Sequence, residues 1–153
     1  FLAVRHVIAR NLPALGRYAP VRLRAPFFGL QRDLTVSADH RILIAGTDAE
    51  YLFGADSVLV EARHLARMAA VSRRWRDPTI RYLQVVLDVH ACLSLSGAWG
   101  ESLFLGDLAD RPARLAMSVL SHVPPQDLPR HRQIASPQLE TYEAMVLVSA
   151  LSA

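Results

Sequence analysis

The sequence predicts an all-β fold of short strands that is followed by a C-terminal helical extension. One observation is that short apolar or alternating segments recur about every ten residues over residues 4–104, a spacing typical of sandwich or barrel-like folds. The other is a change of composition, because four of the nine prolines lie within residues 124–137. We therefore predict a β domain over residues 1–108 and a helical extension over residues 109–153 that packs on it.

Alternation of apolar and polar residues predicts the strands of the first half. The clearest case is residues 20–25, where Val21, Leu23 and Ala25 share one face. A weaker alternation over residues 4–9 ends in a predicted turn over residues 11–16. The other predicted strands are residues 32–37 and 40–46, and a segment over residues 58–65 that begins as a strand and passes into a helical turn. Residues 51–54 are predicted to be a further strand or the edge of a turn.

Residues 79–88 form the strongest predicted strand, since they are rich in β-branched and aromatic residues. Their nearly continuous apolar run predicts burial on both faces at the far end of the strand. A shorter strand follows over residues 90–95. In the extension we predict a helix that opens at Pro112 with Asp110 as its N-cap, and a final helix with Ser136 as its N-cap.

Length and composition exclude several classes of protein. The chain has 153 residues, of which 52% are hydrophobic, enough for one domain with a sizeable core. No apolar run approaches the roughly 18 residues of a membrane helix, so no membrane span is expected. The single cysteine, Cys92, excludes an internal disulfide and a multi-thiolate metal site.

The basic residues are unevenly distributed along the chain. Residues 1–76 carry 12 Arg against 6 acidic residues, whereas residues 77–153 carry 5 Arg against 8 acidic residues. A basic half can bind nucleic acid, but its Arg residues are scattered apart from Arg73, Arg74 and Arg76. Nucleic-acid binding is therefore only a distant third hypothesis, and no nucleic-acid partner is expected.

Residues 35–40 contain the first candidate catalytic residues. Ser37 precedes His40 by three residues around a predicted strand turn, a spacing that can direct a hydroxyl and an imidazole at one peptide group. The same spacing arises by chance, and a buried histidine that only satisfies a backbone group is the alternative. A second candidate piece is residues 84–90, followed by residues 97–102.

These segments together resemble the hedgehog/intein (Hint) domains, most closely a bacterial subfamily that occurs in large, often exported proteins. The resemblance is densest from Arg32 to Ser102 and includes Ser37-x-Asp39-His40-Arg41. The other similar blocks are residues 49–65, 82–90, 97–102 and 139–144.

The resemblance implies an all-β horseshoe of short antiparallel strands and self-processing chemistry on the chain's own flanking polypeptide. A Cys or Ser attacks the preceding carbonyl, and the amide becomes a thioester or an ester. Ser37 then binds the scissile peptide, and His40 contacts its nitrogen and acts as the acid. His90 occupies the second histidine position, and Asp88 orients it if the strand runs straight. No cofactor is implied, and no metal, because no acid-rich or thiolate shell accompanies the histidines.

Several positions depart from the family pattern. The block that supplies the nucleophile is expected upstream of Phe1, and Cys92 is interpreted as a small buried hydrophobe rather than a substitute. Gln84 and Ala91 stand where many relatives have His and Glu. We therefore expect a truncated or degenerate autoprocessing domain that is inactive as this chain. The alternative is a non-catalytic β interaction module of a larger, exported bacterial protein. Its compartment, cytoplasm or outside, and its oligomeric state stay open.

Three further residues carry structural expectations. His64 and Trp99 are expected to pack in the core. Glu101 is expected to accept backbone hydrogen bonds after a glycine turn, which favours a structural role over a catalytic one.

Overall fold

The computed structural model describes residues 1–69 and 75–153, and the described chain consists mostly of antiparallel strands with a few helices. The strands are β1 Val4–Pro13, β2 Pro20–Leu23, β3 Leu34–Ser37, β4 Arg41–Ala45, β5 Ser57–Glu61, β6 Thr79–Leu87, β7 Cys92–Leu95 and β8 Ala98–Glu101. The helices are α1 Thr47–Phe53, α2 Ala62–Ala69, α3 Pro112–Ala116 and α4 Thr141–Leu151.

The strands form three antiparallel sheets. β1 pairs with β6 and β2 pairs with β3, while the third sheet has the order β5-β4-β8-β7. In that sheet Ile42 of β4 lies opposite Gly100 of β8. This single pairing brings the loop between β3 and β4 beside the last residues of β8, and the candidate site lies at this junction.

Two apolar cores hold the sheets together, and both contain residues from either side of residue 108. The first core joins the β2–β3 sheet and the four-stranded sheet to α1, α2 and α4, and its fully buried members include Leu23, Ile42 and Leu147. The second core joins Ile8 and Val86 of the β1–β6 sheet to the segment after Ser102, including α3. The division into residues 1–108 and 109–153 stays a prediction. Each of the two cores contains residues from both of these ranges.

A short extended segment connects the C-terminal region to the third sheet. The amide of Leu59 donates to the Pro137 carbonyl at 2.7 Å, and the amide of Leu139 donates to the Leu59 carbonyl at 2.9 Å. This parallel bridge sets Gln138 against β5. α4 then begins with a capping box formed by Glu140 and Glu143.

The predicted elements differ from the structure in four places. Residues 51–54 belong to the end of α1 and its C-cap Gly54, because three apolar residues cannot distinguish a strand from a helical turn. β1 continues through Pro13, since residues 11–13 pair with residues 79–81. Arg111, rather than Asp110, is the N-cap of α3, which ends at Ala116. The predicted start of the final helix at Ser136 is wrong, because α4 begins at Thr141 and the segment before it forms an isolated bridge with Leu59 of β5.

The burial of four residues tests further expectations. Val86 and Leu87 are both buried, which confirms burial on both faces at the far end of β6. His64 is buried as expected, but Trp99 is 51% exposed, because its neighbours Ala98 and Gly100 take the inward positions of β8. The Arg73–Arg76 cluster lies largely outside the described residues.

Across residues 1–69 and 75–153, none of the helices combines the length and the apolar character needed to cross a bilayer.

The two faces of α4 provide a test of the shared core. We expect Leu147→Ala to lower the free energy of unfolding by about 2–5 kcal/mol, because it empties a fully buried position. Met145→Ala, on the exposed side of the same helix, should change it by less than about 0.5 kcal/mol. Urea unfolding measures both values, and equal small effects would show that α4 is not part of the core.

Candidate functional site

A cavity of about 300 Å³ lies between the β3–β4 loop, β6 and the end of β8. Residues from four separate parts of the chain surround it, and one of them belongs to the segment that bridges to β5. The lining residues are Ser37, Asp39, His40, Arg41, Gln84, Val85, Glu101, Ser102, Leu103, Phe104 and Gln138. The structure thus brings the predicted pair, Ser37 and His40, to one cavity.

The backbone of the β3–β4 loop fixes the relative position of these two residues. The amide of His40 donates to the Ser37 carbonyl at 3.1 Å, which closes a tight turn. The first amides of α2 fasten the same turn, since Ala62 donates to the His40 carbonyl and Arg63 to the Ala38 carbonyl, each at 2.9 Å. The hydroxyl and the imidazole therefore stand on a loop that is held at both ends.

The imidazole of His40 packs against the backbone of β8. A Cβ atom on Gly100 would lie 2.9 Å from His40 Nε2 and 2.4 Å from Leu95 Cδ1. Only glycine leaves room for the ring in this position. His40 Nε2 is buried and has no hydrogen-bond partner among the described residues.

Charged neighbours act on His40 from two sides. Burial lowers the pKa of His40 below its ordinary value of 6.5, while Glu101 and Asp39 oppose this effect and Arg41 adds to it. Arg41 itself bridges two carboxylates, with Glu61 and Glu101 each at 3.4 Å. His40 is therefore a neutral imidazole near pH 7, able to take up a proton and to release it.

His90 is completely buried and lies behind Glu101 rather than on the cavity wall. Its Nδ1 accepts a hydrogen bond from the Ala135 amide at 2.9 Å, so in the neutral ring the proton resides on Nε2. That Nε2 stands 3.3 Å from Glu101 Oε2, although the angle is not that of a hydrogen bond. The second histidine thus reaches the site through Glu101.

The structure does not bring Asp88 to the cavity. β6 ends at Leu87, so the alternation that would direct Asp88 and His90 to one side stops before both residues. The Asp88 carboxylate is exposed and accepts a hydrogen bond from Arg5 at 2.7 Å. The group beside His90 is Glu101 instead.

Sequence reasoning underestimated Glu101 and did not identify Gln138. The expected structural role belongs to the next residue, since Ser102 Oγ accepts the Ala91 amide at 3.1 Å and its own amide donates to the Ala91 carbonyl at 2.8 Å. Glu101 faces Arg41 and His90 across the fold. The sequence signal for Glu101 was a carboxylate next to a glycine on a strand. Its partners, Arg41 and His90, could not be identified because they are remote in sequence.

Thiol and metal chemistry find little support in the described residues. Cys92 is half-buried and does not line the cavity. Burial, and after it the charge of Glu101, raises the pKa of its thiol, which disfavours the nucleophilic thiolate. Within residues 1–69 and 75–153, no group of three His, Cys, Asp or Glu side chains is arranged to hold a metal ion.

Comparison with known proteins identifies the family of this chain. The family model of the Hint domain matches residues 2–107, which is more than half of the chain. The chain belongs to the Hint domain family. No curated protein and no solved structure matches it. The matched part of the Hint domain contains every cavity residue except Gln138, which the later segment contributes.

The contact between His40 and β8 predicts the effect of Gly100→Ala in this Hint domain. The added methyl group displaces the His40 and Leu95 side chains, and we expect the free energy of unfolding to fall by about 1–3 kcal/mol. Ser94→Ala, on the exposed face of β7, serves as the control and should be neutral in urea unfolding. If Gly100→Ala is equally neutral, the ring does not occupy this position.

The lowered pKa of His40 predicts a pH dependence of stability. Folding favours the neutral ring, so its contribution is present above pH 6.5 and is lost as the pH falls through the folded-state pKa. Between pH about 7.5 and about 5, wild type should lose more free energy of unfolding than His40→Gln does. The exposed-site variant His122→Gln is the control and should follow wild type. Identical losses in wild type and His40→Gln would contradict the pKa direction.

Proposed function

We propose that this Hint domain is of the autoprocessing type, and that its cavity receives a peptide amide from the chain's own flanking polypeptide. The observation that carries the proposal is that Ser37 and His40 line one cavity of about 300 Å³. That volume accommodates a peptide group and its neighbouring atoms. We also propose that the three sheets form the family's horseshoe.

The proposed reaction is an acyl shift. A peptide carbonyl is a poor electrophile, so the site must stabilise negative charge on its oxygen and protonate the leaving nitrogen. The Ser37 hydroxyl donates a hydrogen bond to the carbonyl oxygen. Neutral His40 takes the proton from a Cys thiol or Ser hydroxyl of the flanking segment and delivers it to the amide nitrogen. The C–N bond breaks, a C–S or C–O bond forms, and the proton count is unchanged.

The nucleophile is the part that the described cavity does not provide. Its wall carries the hydroxyls of Ser37 and Ser102, of which the first is assigned to the substrate and the second accepts a backbone amide. Cys92 lies outside it. We infer that the attacking group comes from the flanking polypeptide and that these 153 residues alone do not process. His90 acts through Glu101, and Asp88 is assigned no contact with the amide.

A cleavage assay tests this proposal. The chain is expressed with an upstream segment that carries a Cys and is incubated with hydroxylamine, which traps a thioester. Cleavage is expected in the extended chain and not in the 153-residue chain. His40→Ala should slow it by about 10²–10⁴-fold, whereas His122→Ala, at an exposed histidine, should not.

Two results would count against autoprocessing by this site: no cleavage in the extended wild type, and a His40→Ala variant that cleaves at the wild-type rate. Cleavage by the 153-residue chain alone would instead contradict the inference that the nucleophile comes from the flanking polypeptide. The role of the Ser37 hydroxyl is tested in the same assay. Ser37→Ala should slow cleavage, whereas the control Ser121→Ala, at an exposed serine, should not.

A second candidate function is a non-catalytic interaction module of a larger protein. The observation that favours it is Gln84, which lines the cavity and cannot transfer protons as a histidine does. On this alternative the cavity binds a peptide segment without cleaving it. Retention of an intact extended chain whose upstream segment is protected from proteases would support the alternative.

A further inference from the structure

One carboxylate, that of Glu101, lies beside His90 and lines the same cavity as His40. Glu101 Oε2 is 3.3 Å from His90 Nε2, and Glu101 Oε1 is 3.4 Å from Arg41 Nη1. On its other side, Glu101 directly follows Gly100, against which His40 Nε2 packs. The side chain of Glu101 is only 13% exposed, and what remains exposed faces the cavity.

We propose that Glu101 is a positioning residue for the acyl shift: held by Arg41 and His90, it supports the protonated form of His40 while the proton is in transit. This inference rests on the proposed autoprocessing function. Glu101 touches neither the amide nor the nucleophile in this proposal, and no bond to it forms or breaks.

The His90 side of the contact is fixed by hydrogen bonding. Because Nδ1 of His90 accepts a hydrogen bond from the Ala135 amide, the proton of the neutral ring resides on Nε2, which lies 3.3 Å from Glu101 Oε2 without hydrogen-bond geometry. Arg41 adds a positive charge on the other carboxylate oxygen. Glu101 therefore lies between a guanidinium and an imidazole at the cavity wall.

Glu101 acts on His40 through its charge. The charged groups around His40 are Asp39 and Arg41 beside it in the chain, and Glu101 from β8. Burial lowers the pKa of His40, and Glu101 is the strongest influence that opposes burial. An imidazolium formed during proton transfer is therefore stabilised chiefly by this carboxylate, in the manner of a carboxylate that supports a catalytic histidine.

NMR titration of the imidazole in the 153-residue chain tests the electrostatic part without any need for processing. Glu101→Gln keeps the shape and removes the charge, so the titration midpoint of His40 should move to lower pH. The matched control is Glu61→Gln, which removes the other carboxylate of Arg41 and should leave the midpoint in place. Glu101→Asp keeps the charge on a shorter side chain and should give a midpoint between wild type and Glu101→Gln.

Two outcomes of the titration would overturn the proposal. One is an unchanged His40 midpoint in Glu101→Gln, and the other is an equal shift in Glu61→Gln. If Glu101→Gln does not fold, Glu101→Asp is compared with wild type instead. Its His40 midpoint should also lie at lower pH than that of wild type, and an unchanged midpoint would overturn the proposal.

The processing arm uses the upstream-extended chain. Glu101→Gln should slow cleavage by about tenfold for each unit by which the His40 midpoint falls, and the acid limb of the rate profile should move to lower pH. Glu101→Asp should recover part of the rate. Cleavage in Glu101→Gln at the wild-type rate and with the wild-type profile would overturn the proposal. If the extended wild type does not cleave, autoprocessing fails, and the titration still decides the role of Glu101.

Discussion

The close approach of the His40 ring to the backbone of β8 is the constraint on which the site depends. It requires a residue without a side chain at Gly100 and a loop that cannot move away from the sheet. The hydrogen bonds from Ala62 and Arg63 to the carbonyls of His40 and Ala38 supply the second condition. The same packing buries the imidazole, which lowers its pKa, and places it near Glu101. The position of the His40 ring and its electrostatic environment therefore have the same cause.

The C-terminal region has a part in this arrangement. Its extended segment completes β5 on one side and sets Gln138 on the cavity wall, while Ala135 fixes the tautomer of His90. The family match ends at residue 107, so these contacts come from outside the matched part. The site is therefore completed by residues 135–138, for which the sequence showed no strand pattern and which lie outside the family match.

Local features of the sequence predicted the local features of the fold. Alternation located β2–β5, the β-branched run located β6, and the Ser37–His40 spacing located the turn that lines the cavity. Prediction failed where a remote partner decides the outcome. Residues 137–139 are not helical because the backbone of Leu59 in β5 binds them, and Trp99 faces solvent because its neighbours face inward. Likewise, Asp88 was a reasonable partner for His90 by spacing, but the strand ends before it, and the neighbour that replaces it, Glu101, is not adjacent in sequence.

A crystal structure of the upstream-extended chain, with its attacking Cys replaced by Ala, tests the central claim most directly. The account predicts that the uncleaved peptide group occupies the cavity, with its nitrogen at about 3 Å from a nitrogen of His40 and its carbonyl oxygen at a similar distance from Ser37 Oγ. An amide bound elsewhere, with the cavity left to solvent, would contradict it.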